Sequence, residues 1–328
     1  MLLGSNILKH FRVITTVLIA AALVPAAASE DPVVSAEHWV QNGDVRIYVW
    51  EKHLNSVDAG KVIVLAHGSA TAGKESFDLQ VQGYTDVSLM DTLARAGFDV
   101  FALDTRGFGR STHPDTHMTT VQASSDLNAV VDYVSHLRAV AKVDLLAWSW
   151  GTQYGGMFVM AHPEKVRKYI SYAQMHLDSP DLAKRRQKIG DYRAHVYLEI
   201  PEAGWKPRFY SMAPASDNIP AIVDAYAKAA AAVEKRTPTG PQLDMVSIMP
   251  MLSPRLMNAS IMMIHGEHDD VADTVGLLPF FQALPNPDKR YVIIPEAGHM
   301  MMFQKGRQKF QQAVIDFLNE GVSDPVRP

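Results

Sequence analysis

Ser149 occupies a position where its hydroxyl could act as a nucleophile. It follows the apolar run Val143–Trp148, which predicts a buried strand, and precedes residues 151–161, which are rich in small side chains and predict a helix. A tight strand-to-helix turn requires small residues two positions from the serine, and Ala147 and Gly151 meet this requirement. The following helix directs N–H groups towards developing negative charge. Because an inert helix-capping serine shows the same local pattern, the assignment depends on partners elsewhere in the chain.

Acyl transfer by a serine also requires an imidazole that accepts the hydroxyl proton and a carboxylate that fixes the tautomer of the imidazole. His299 is the candidate base, because it follows the last apolar run, residues 291–294, in the chain order serine, acid, histidine. The candidate acids follow the run at residues 261–264, and they are Glu267, Asp269, Asp270 and Asp273. Seven other histidines are available, and each taken singly is more typical of a structural role: His67, His113, His117, His162, His176, His265 and His268.

Strands that alternate with helices must position these groups. Residues 45–50 alternate polar and apolar side chains after an Asn42-Gly43 turn, which predicts a hairpin that begins near His38. Continuous apolar runs then alternate with stretches of helical period, which indicates a parallel sheet covered on both faces. These runs are residues 62–66, 100–103, 143–148, 169–173, 261–264 and 291–294, and the helical stretches include 87–96 and 125–139. The predicted class is α/β, with a mostly parallel central sheet and an antiparallel hairpin at one edge.

The alternation of apolar runs and helical stretches is absent between residues 174 and 260. This segment contains the cluster Lys184-Arg185-Arg186, several prolines and an Ala-rich helical stretch over residues 219–235. We interpret residues 175–258 as a mostly helical cap inserted into a core of residues 30–174 and 259–328, although ordinary surface helices fit the same pattern. A helix over residues 304–318 is expected to close the chain.

Composition and the first residues exclude some classes of protein. The 328 residues include no cysteine and carry a formal net charge of −4, without a Lys/Arg cluster dense enough to indicate nucleic acid as a partner. Lys9, His10 and Arg12 precede an uncharged run over residues 13–24, which is typical of a secretory signal peptide. A spanning helix needs roughly 20 residues, so no stable membrane anchor is expected. We expect residues 1–29 to be removed on export to a periplasm or out of the cell.

Together, these motifs resemble those of the α/β-hydrolase fold superfamily over nearly the whole mature chain. The chain is similar to capped members of the serine esterase and lipase type, and also to members of the proline iminopeptidase type. It departs from the family's G-x-S-x-G turn only at Ala147, which adds one methyl group. The motifs that carry the resemblance are His67-Gly68-Ser69, Asp104-Thr-Arg106-Gly107-Phe-Gly109-Arg-Ser111, the turn around Ser149, Gly266-Glu-His-Asp269 and Gly298-His299.

The resemblance implies roles for further residues. Asp269, three residues past Gly266, would be the acid of a Ser149, Asp269, His299 triad. Asp270 is the nearest alternative, and some relatives use an acid after the preceding strand, which here is Asp178.

Stabilisation of an oxyanion requires two N–H donors, and by resemblance these are the backbone amides of Trp150 and Ser69. Residues 104–111 look architectural rather than reactive. A triad needs no metal or other cofactor, and neither group of clustered loop residues has a recognised metal spacing. These groups are His113 with His117, and His265 and His268 with Asp269 and Asp270.

The expected activity is hydrolysis of a carboxylic ester or lactone through an acyl-enzyme intermediate. A small, partly apolar acyl substrate is expected, since several large side chains could line its pocket, although core packing explains most of them equally well. These are Trp148, Trp150, Met212, Met245, Met249, Met251 and residues 300–303. One alternative is a proline iminopeptidase-like aminopeptidase, in which cap acids would hold an ammonium group; the candidates are Asp178, Asp181, Glu199, Glu202 and Asp217. Another alternative is a non-catalytic binding protein with the same fold. The sequence leaves the oligomeric state open.

Overall fold

An eight-stranded sheet forms the centre of the computed structural model, which describes residues 31–56, 60–176, 179–272 and 274–321. The predicted signal peptide, residues 1–29, lies outside these ranges, as do Asp178 and Asp273. The strands of this sheet are β1 (Val33–Asn42), β2 (Val45–Leu54), β3 (Val62–Ala66), β4 (Asp99–Asp104), β5 (Val143–Trp148), β6 (Val166–Tyr172), β9 (Ser260–Gly266) and β10 (Lys289–Ile294). Strands β7 (Tyr197–Glu199) and β8 (Arg236–Pro238) form a separate two-stranded ribbon.

The sheet order is β1-β2-β4-β3-β5-β6-β9-β10. Strand β2 is antiparallel to both of its neighbours, whereas the pairs from β4 across to β10 are parallel. The hairpin of β1 and β2 turns at Gly43, whose φ of +62° suits glycine. The predicted α/β class, with a mostly parallel sheet and an antiparallel hairpin at one edge, is confirmed.

Helices cover both faces of the sheet. In β3, Val64 belongs to one hydrophobic cluster and its neighbours Ile63 and Leu65 to the other, because successive side chains of a strand point to opposite faces. The helices are α1 (Gly73–Phe77), α2 (Leu89–Arg95), α3 (Thr120–Arg138), α4 (Gly151–Ala161), α5 (Pro180–Arg186), α6 (Ile189–Ala194), α7 (Trp205–Tyr210), α8 (Pro220–Val233), α9 (Gly240–Ser247), α10 (Leu278–Ala283) and α11 (Arg307–Asn319). Within the described ranges, no helix combines the length and hydropathy needed to cross a membrane.

Helix α3 begins at Thr120, five residues before the start at residue 125 that the apolar period predicts. Thr119 accepts a hydrogen bond from the backbone N–H of Gln122, whose side chain in turn accepts one from the N–H of Thr119. This reciprocal arrangement is a capping box, and its Thr-x-x-Gln spacing was a sequence signal for the true start of the helix.

The chain leaves the sheet after β6 and returns at β9, and the intervening segment carries α5 to α9 and the two-stranded ribbon of β7 and β8. The ribbon was not predicted, because strands of three residues are too short to show a period. The segment is mostly helical, and it lies between two strands that are neighbours in the sheet. We refer to residues 175–258 as the insertion.

Candidate active site

Ser149 lies in a strained turn at the carboxyl end of β5. Its φ is +58°, in the left-handed region that side chains with a Cβ rarely adopt, and its N–H donates to the carbonyl of Tyr172 at 3.0 Å. A Cβ on Gly151 would lie 2.5 Å from the carbonyl oxygen of Ala66, so only glycine fits there. The turn therefore has the geometry of a nucleophile elbow.

The unusual Ala147 of this turn is accommodated by a glycine on α4. A Cβ on Gly155 would come within 2.9 Å of the Ala147 methyl group, closer than real side chains approach. The absence of a side chain at Gly155 therefore provides the space for the methyl group of Ala147. This pairing explains how the turn tolerates alanine where the family pattern has glycine.

The His299 imidazole lies between the serine and a carboxylate. Its Nε2 is 2.8 Å from Ser149 Oγ, and the ring is buried. The backbone carbonyl of His299 accepts hydrogen bonds from Trp148 Nε1 at 3.1 Å and from the Tyr172 hydroxyl at 2.9 Å. Trp148, immediately before the serine, thus also holds the segment that carries the histidine.

Asp269 is the carboxylate that contacts His299. Both of its oxygens lie 3.1 Å from His299 Nδ1, and one oxygen also accepts the N–H groups of Val271 and Ala272 at 3.0 Å. Burial alone would raise the pKa of Asp269, but the adjacent His299, the nearby His265 and the N–H of Ala272 lower it below the ordinary value. Asp270, the competing acid, is exposed to solvent and makes no hydrogen bond to His299.

The two predicted oxyanion donors lie beside this group. A Cβ on Gly68 would lie 3.2 Å from the Cβ of Ser149, so the loop after β3 packs directly against the serine. Within the described residues, neither the N–H of Ser69 nor that of Trp150 donates a hydrogen bond. Both amides are therefore available for a substrate oxygen, although the indole of Trp150 itself is buried in the core.

Gln242 of α9 is a contact that the sequence interpretation missed. Its Nε2 donates to Ser69 Oγ at 3.1 Å, and its Oε1 accepts from Arg185 Nη1 at 2.8 Å. The insertion is thereby connected through side chains to the loop that carries a predicted oxyanion donor. Nothing in the local pattern of α9 signals this contact, because Ser69 lies 173 residues away along the chain.

A cavity of about 380 Å³ opens above Ser149 and His299. Its lining is mixed, with apolar side chains from Ala70, Leu198, Ile200, Met212 and Pro238 and charged side chains from the insertion. Of the large residues considered for an apolar pocket, only Met212 lines it. Trp148, Trp150, Met245 and residues 300–303 are buried in the two hydrophobic clusters instead.

The other histidines that the structure describes have separate environments. His67 is buried, its Nε2 accepts the N–H of Thr105 at 3.1 Å, and burial lowers its pKa to about 4. His265 is buried and stacks on Tyr291, and its pKa is also lowered to about 4, mainly by burial. His268 pairs with Asp217 at 2.7 Å. Across the described ranges, no three His, Cys, Asp or Glu side chains are grouped as a metal site would require.

The loop after β4 is held by internal hydrogen bonds. Asp104 accepts the N–H groups of Gly73 at 2.9 Å and Arg110 at 3.0 Å, while Arg106 forms a bidentate pair with Asp126. These contacts satisfy the polar groups of the loop from within the core, as expected for a segment with an architectural role.

A family model described as the alpha/beta hydrolase fold matches residues 61–306, which include strands β3 to β10 and every residue of the site described above. The chain belongs to the α/β-hydrolase fold family. None of the curated proteins compared with this α/β hydrolase matches it significantly.

Solved structures similar to this α/β hydrolase include an esterase from Exiguobacterium antarcticum, with a TM-score of 0.66, 17% identity and coverage of 86% of this chain and 99% of that chain. The enol-lactonase from Burkholderia xenovorans LB400 has a TM-score of 0.66 and 18% identity, covering 86% and 100%. The 2-hydroxy-6-oxo-6-phenylhexa-2,4-dienoate hydrolase from a Rhodococcus strain has a TM-score of 0.65 and 15% identity, covering 88% and 100%. Identities this low establish a shared fold and leave the substrate undecided.

Proposed function

We propose that this α/β hydrolase cleaves a carboxylic ester or lactone through an acyl-enzyme intermediate. The observation that carries the proposal is the continuous series of hydrogen bonds from Ser149 Oγ through the His299 ring to Asp269, with distances of 2.8 and 3.1 Å. Such a series lets the imidazole accept the hydroxyl proton while the carboxylate stabilises the resulting cation. The lowered pKa of Asp269 keeps this carboxylate ionised for that task.

In the first half of the reaction, Ser149 Oγ attacks the substrate carbonyl as its proton passes to His299 Nε2. The N–H groups of Ser69 and Trp150 stabilise the oxyanion, and His299 then protonates the leaving alcohol as the carbon–oxygen bond breaks. In the second half, His299 removes a proton from water, which attacks the acyl group and releases the acid and the free serine. The reaction needs only these groups and water.

The charges around the cavity favour an ester over the amine substrate of an aminopeptidase. Of the acids considered for holding an ammonium group, Asp181 and Glu199 line the cavity, but Asp181 already pairs with Arg185. Asp217 pairs with His268, and Glu202 does not line the cavity. Glu199 is exposed to solvent, which screens its charge, so a cation would meet little uncompensated negative charge in the cavity.

The proposal is tested with a fluorophosphonate probe and short-chain para-nitrophenyl esters. The expected result is labelling of the wild-type protein at Ser149, and loss of both labelling and esterase activity in Ser149→Ala, with kcat lower by about 10³-fold or more. Ser216→Ala is the matched control, because Ser216 is exposed on the insertion and does not line the cavity.

Retention of most activity in a folded Ser149→Ala protein would contradict the proposed nucleophile. A panel with a lactone and a proline para-nitroanilide beside the esters separates the two enzymatic alternatives, because an aminopeptidase would cleave only the amide. A protein that neither reacts with the probe nor turns over any member of the panel would fit the binding-protein alternative.

We further propose that the enzyme acts outside the cytoplasm. Support comes from the leader, in which Lys9 and Arg12 precede the short apolar run at residues 13–24. The intact mass of the protein recovered from periplasm and culture medium tests this, since cleavage after Ala28 or Ser29 would remove the leader. Recovery of the uncleaved chain in the cytoplasm alone would contradict export.

A further inference from the structure

The cavity above Ser149 contains more positive than negative charge, although the whole chain is mildly acidic with a net charge of −4. The charged residues that line it are Asp181, Arg185, Lys188, Glu199 and Arg208. All five belong to the insertion, so the part of the chain that covers the serine also determines the charge that a substrate meets. Which of these charges are neutralised by partners decides what the cavity can bind.

Two of the charges neutralise each other. Arg185 and Asp181 stand four residues apart on α5 and form an ion pair, and Arg185 also donates to Gln242. Glu199 lies at the end of β7 with its side chain exposed, so water screens its charge. Neither acid therefore cancels the remaining cations at the cavity wall.

Arg208 and Lys188 are the unpaired cations. Within the described residues, neither side chain forms an ion pair or a hydrogen bond, and Arg208 is half-buried on α7, 5.8 Å from the ring of Trp205. Burial and the nearby Arg185 lower the pKa of the Arg208 guanidinium below its ordinary value. A partly buried guanidinium without a hydrogen-bond acceptor is unfavourable, and an anion beside it would relieve that cost.

We propose that the cavity selects acyl substrates that carry an anionic group, such as a carboxylate, which binds Arg208 with Lys188 at the cavity mouth. The inference rests on the proposed ester hydrolysis and specifies its substrate class. A guanidinium can bind a carboxylate through two parallel hydrogen bonds, and partial burial strengthens such a contact relative to one in water. The volume of about 380 Å³ suits a small acyl compound with the anion a few bonds from the carbonyl.

The experiment compares matched esters of which one carries a carboxylate and the other is neutral. One pair is the para-nitrophenyl monoester of glutaric acid and para-nitrophenyl pentanoate, which places the carboxylate on the acyl side. The other pair is the butanoate ester of para-hydroxybenzoic acid and that of its methyl ester, which places it on the alcohol side. The quantity measured is the ratio of kcat/KM for the anionic ester to that for its neutral partner.

In at least one pair, the wild-type ratio should be about 10 or more, and Arg208→Gln should lower it about 10- to 100-fold. Arg193→Gln is the matched control, because it removes the same charge from an exposed arginine of the insertion that does not line the cavity. High salt should lower the wild-type ratio and leave that of Arg208→Gln nearly unchanged. The pair whose ratio falls in Arg208→Gln shows whether the anion binds on the acyl side or on the alcohol side of the ester.

A second measurement does not depend on turnover. Calorimetric titration of the Ser149→Ala protein with monomethyl glutarate should detect binding that is lost when Arg208→Gln is added and kept when Arg193→Gln is added. If wild-type ratios are near one in both pairs while the esters are hydrolysed, the anion inference is wrong and the proposed function stands. If no ester is hydrolysed but binding depends on Arg208, the inference stands and the proposed reaction fails; if neither is observed, both fail.

Discussion

At the scale of single residues, the site combines a strained backbone with fixed side chains. A φ of +58° at Ser149 costs on the order of 1–3 kcal/mol, and such a conformation persists only where its surroundings hold it. The hydrogen bond to Tyr172 and the helix start at Gly151 hold it here. In this conformation, the Ser149 hydroxyl lies within hydrogen-bond distance of His299 Nε2.

The pairing of Ala147 with Gly155 leads to a prediction about stability. Gly155→Ala would gain helix propensity of about 1 kcal/mol, but its new methyl would overlap that of Ala147 and cost about 1–3 kcal/mol. We expect net destabilisation by up to about 2 kcal/mol, measured by urea unfolding. The same change introduced together with Ala147→Gly should be neutral or stabilising, since the overlap is gone. Equal effects in the two backgrounds would show that the methyl groups do not compete for space.

At the scale of elements, parallel strands bring the reactive groups together. Ser149 follows β5, Asp269 follows β9 and His299 follows β10, and the carboxyl ends of parallel strands meet at one edge of a sheet. The insertion is attached over this edge through Gln242, which contacts Ser69, and through Glu234 at the end of α8. The insertion and the sheet domain therefore share polar contacts beside the site.

Glu234 makes the attachment of the insertion sensitive to pH. Its carboxylate is buried and accepts the N–H groups of Ala72 and Gly109 at 3.0 Å. Burial, followed by the nearby charges of Asp104 and Glu75, raises its pKa to about 8. The folded protein then binds a proton that the unfolded chain releases above a pKa of 4.5, so the contribution of Glu234 to the free energy of unfolding should fall as pH rises from 4.5 to about 8.

Glu234→Gln should reduce this pH dependence, because the amide retains the accepting oxygen without a charge. We expect the loss of stability between pH 5 and pH 8 to be about 1–4 kcal/mol smaller in the variant, measured by urea unfolding. Glu202→Gln, at an exposed residue of the insertion, serves as the control and should follow the wild type. The same pH dependence in Glu234→Gln as in the wild type would contradict the assignment of a protonated carboxyl group at Glu234.

At the scale of the whole molecule, the insertion and the sheet share one hydrophobic cluster. Trp205, Phe209 and Tyr226 of the insertion are buried, and both Phe209 and Tyr226 pack against Phe303, which follows the segment of His299. Because the chain has no cysteine, no disulfide supplements this packing. The core beneath the site is therefore formed jointly by the insertion and the segments that carry the reactive groups.

This shared packing predicts that the insertion and the core unfold together. Hydrogen exchange in increasing denaturant should give α8 (Pro220–Val233) and β3 (Val62–Ala66) the same free energy of opening within about 1 kcal/mol. Mass spectrometry of peptides from the two elements is the measurement. Exchange of α8 at a much lower denaturant concentration would instead identify the insertion as a separate folding unit.

From the sequence alone, the alternation of the main strands and helices could be predicted, and Ser149 and His299 could be selected as the candidate nucleophile and base. The apolar runs at β3 and β5 agree with the structure to the residue, because strands buried on both faces are continuously apolar. A reactive group that follows such a run is thereby assigned to one edge of the sheet. Local patterns also restricted the candidate acid to the loop after β9, but they could not distinguish Asp269 from Asp270.

Only the tertiary structure decided which acid faces the imidazole and what charge the cavity presents. Asp269 and Asp270 are chemically identical neighbours, and only the path of the loop turns one towards His299 and the other to solvent. Likewise, tryptophans and methionines have the same apolar pattern in a core as in a pocket. The charged residues of the insertion have the pattern of an ordinary solvent-exposed surface, and only folding brings Arg208 to the wall of the cavity that contains Ser149. Burial and convergence are relations between distant segments, so no local period encodes them.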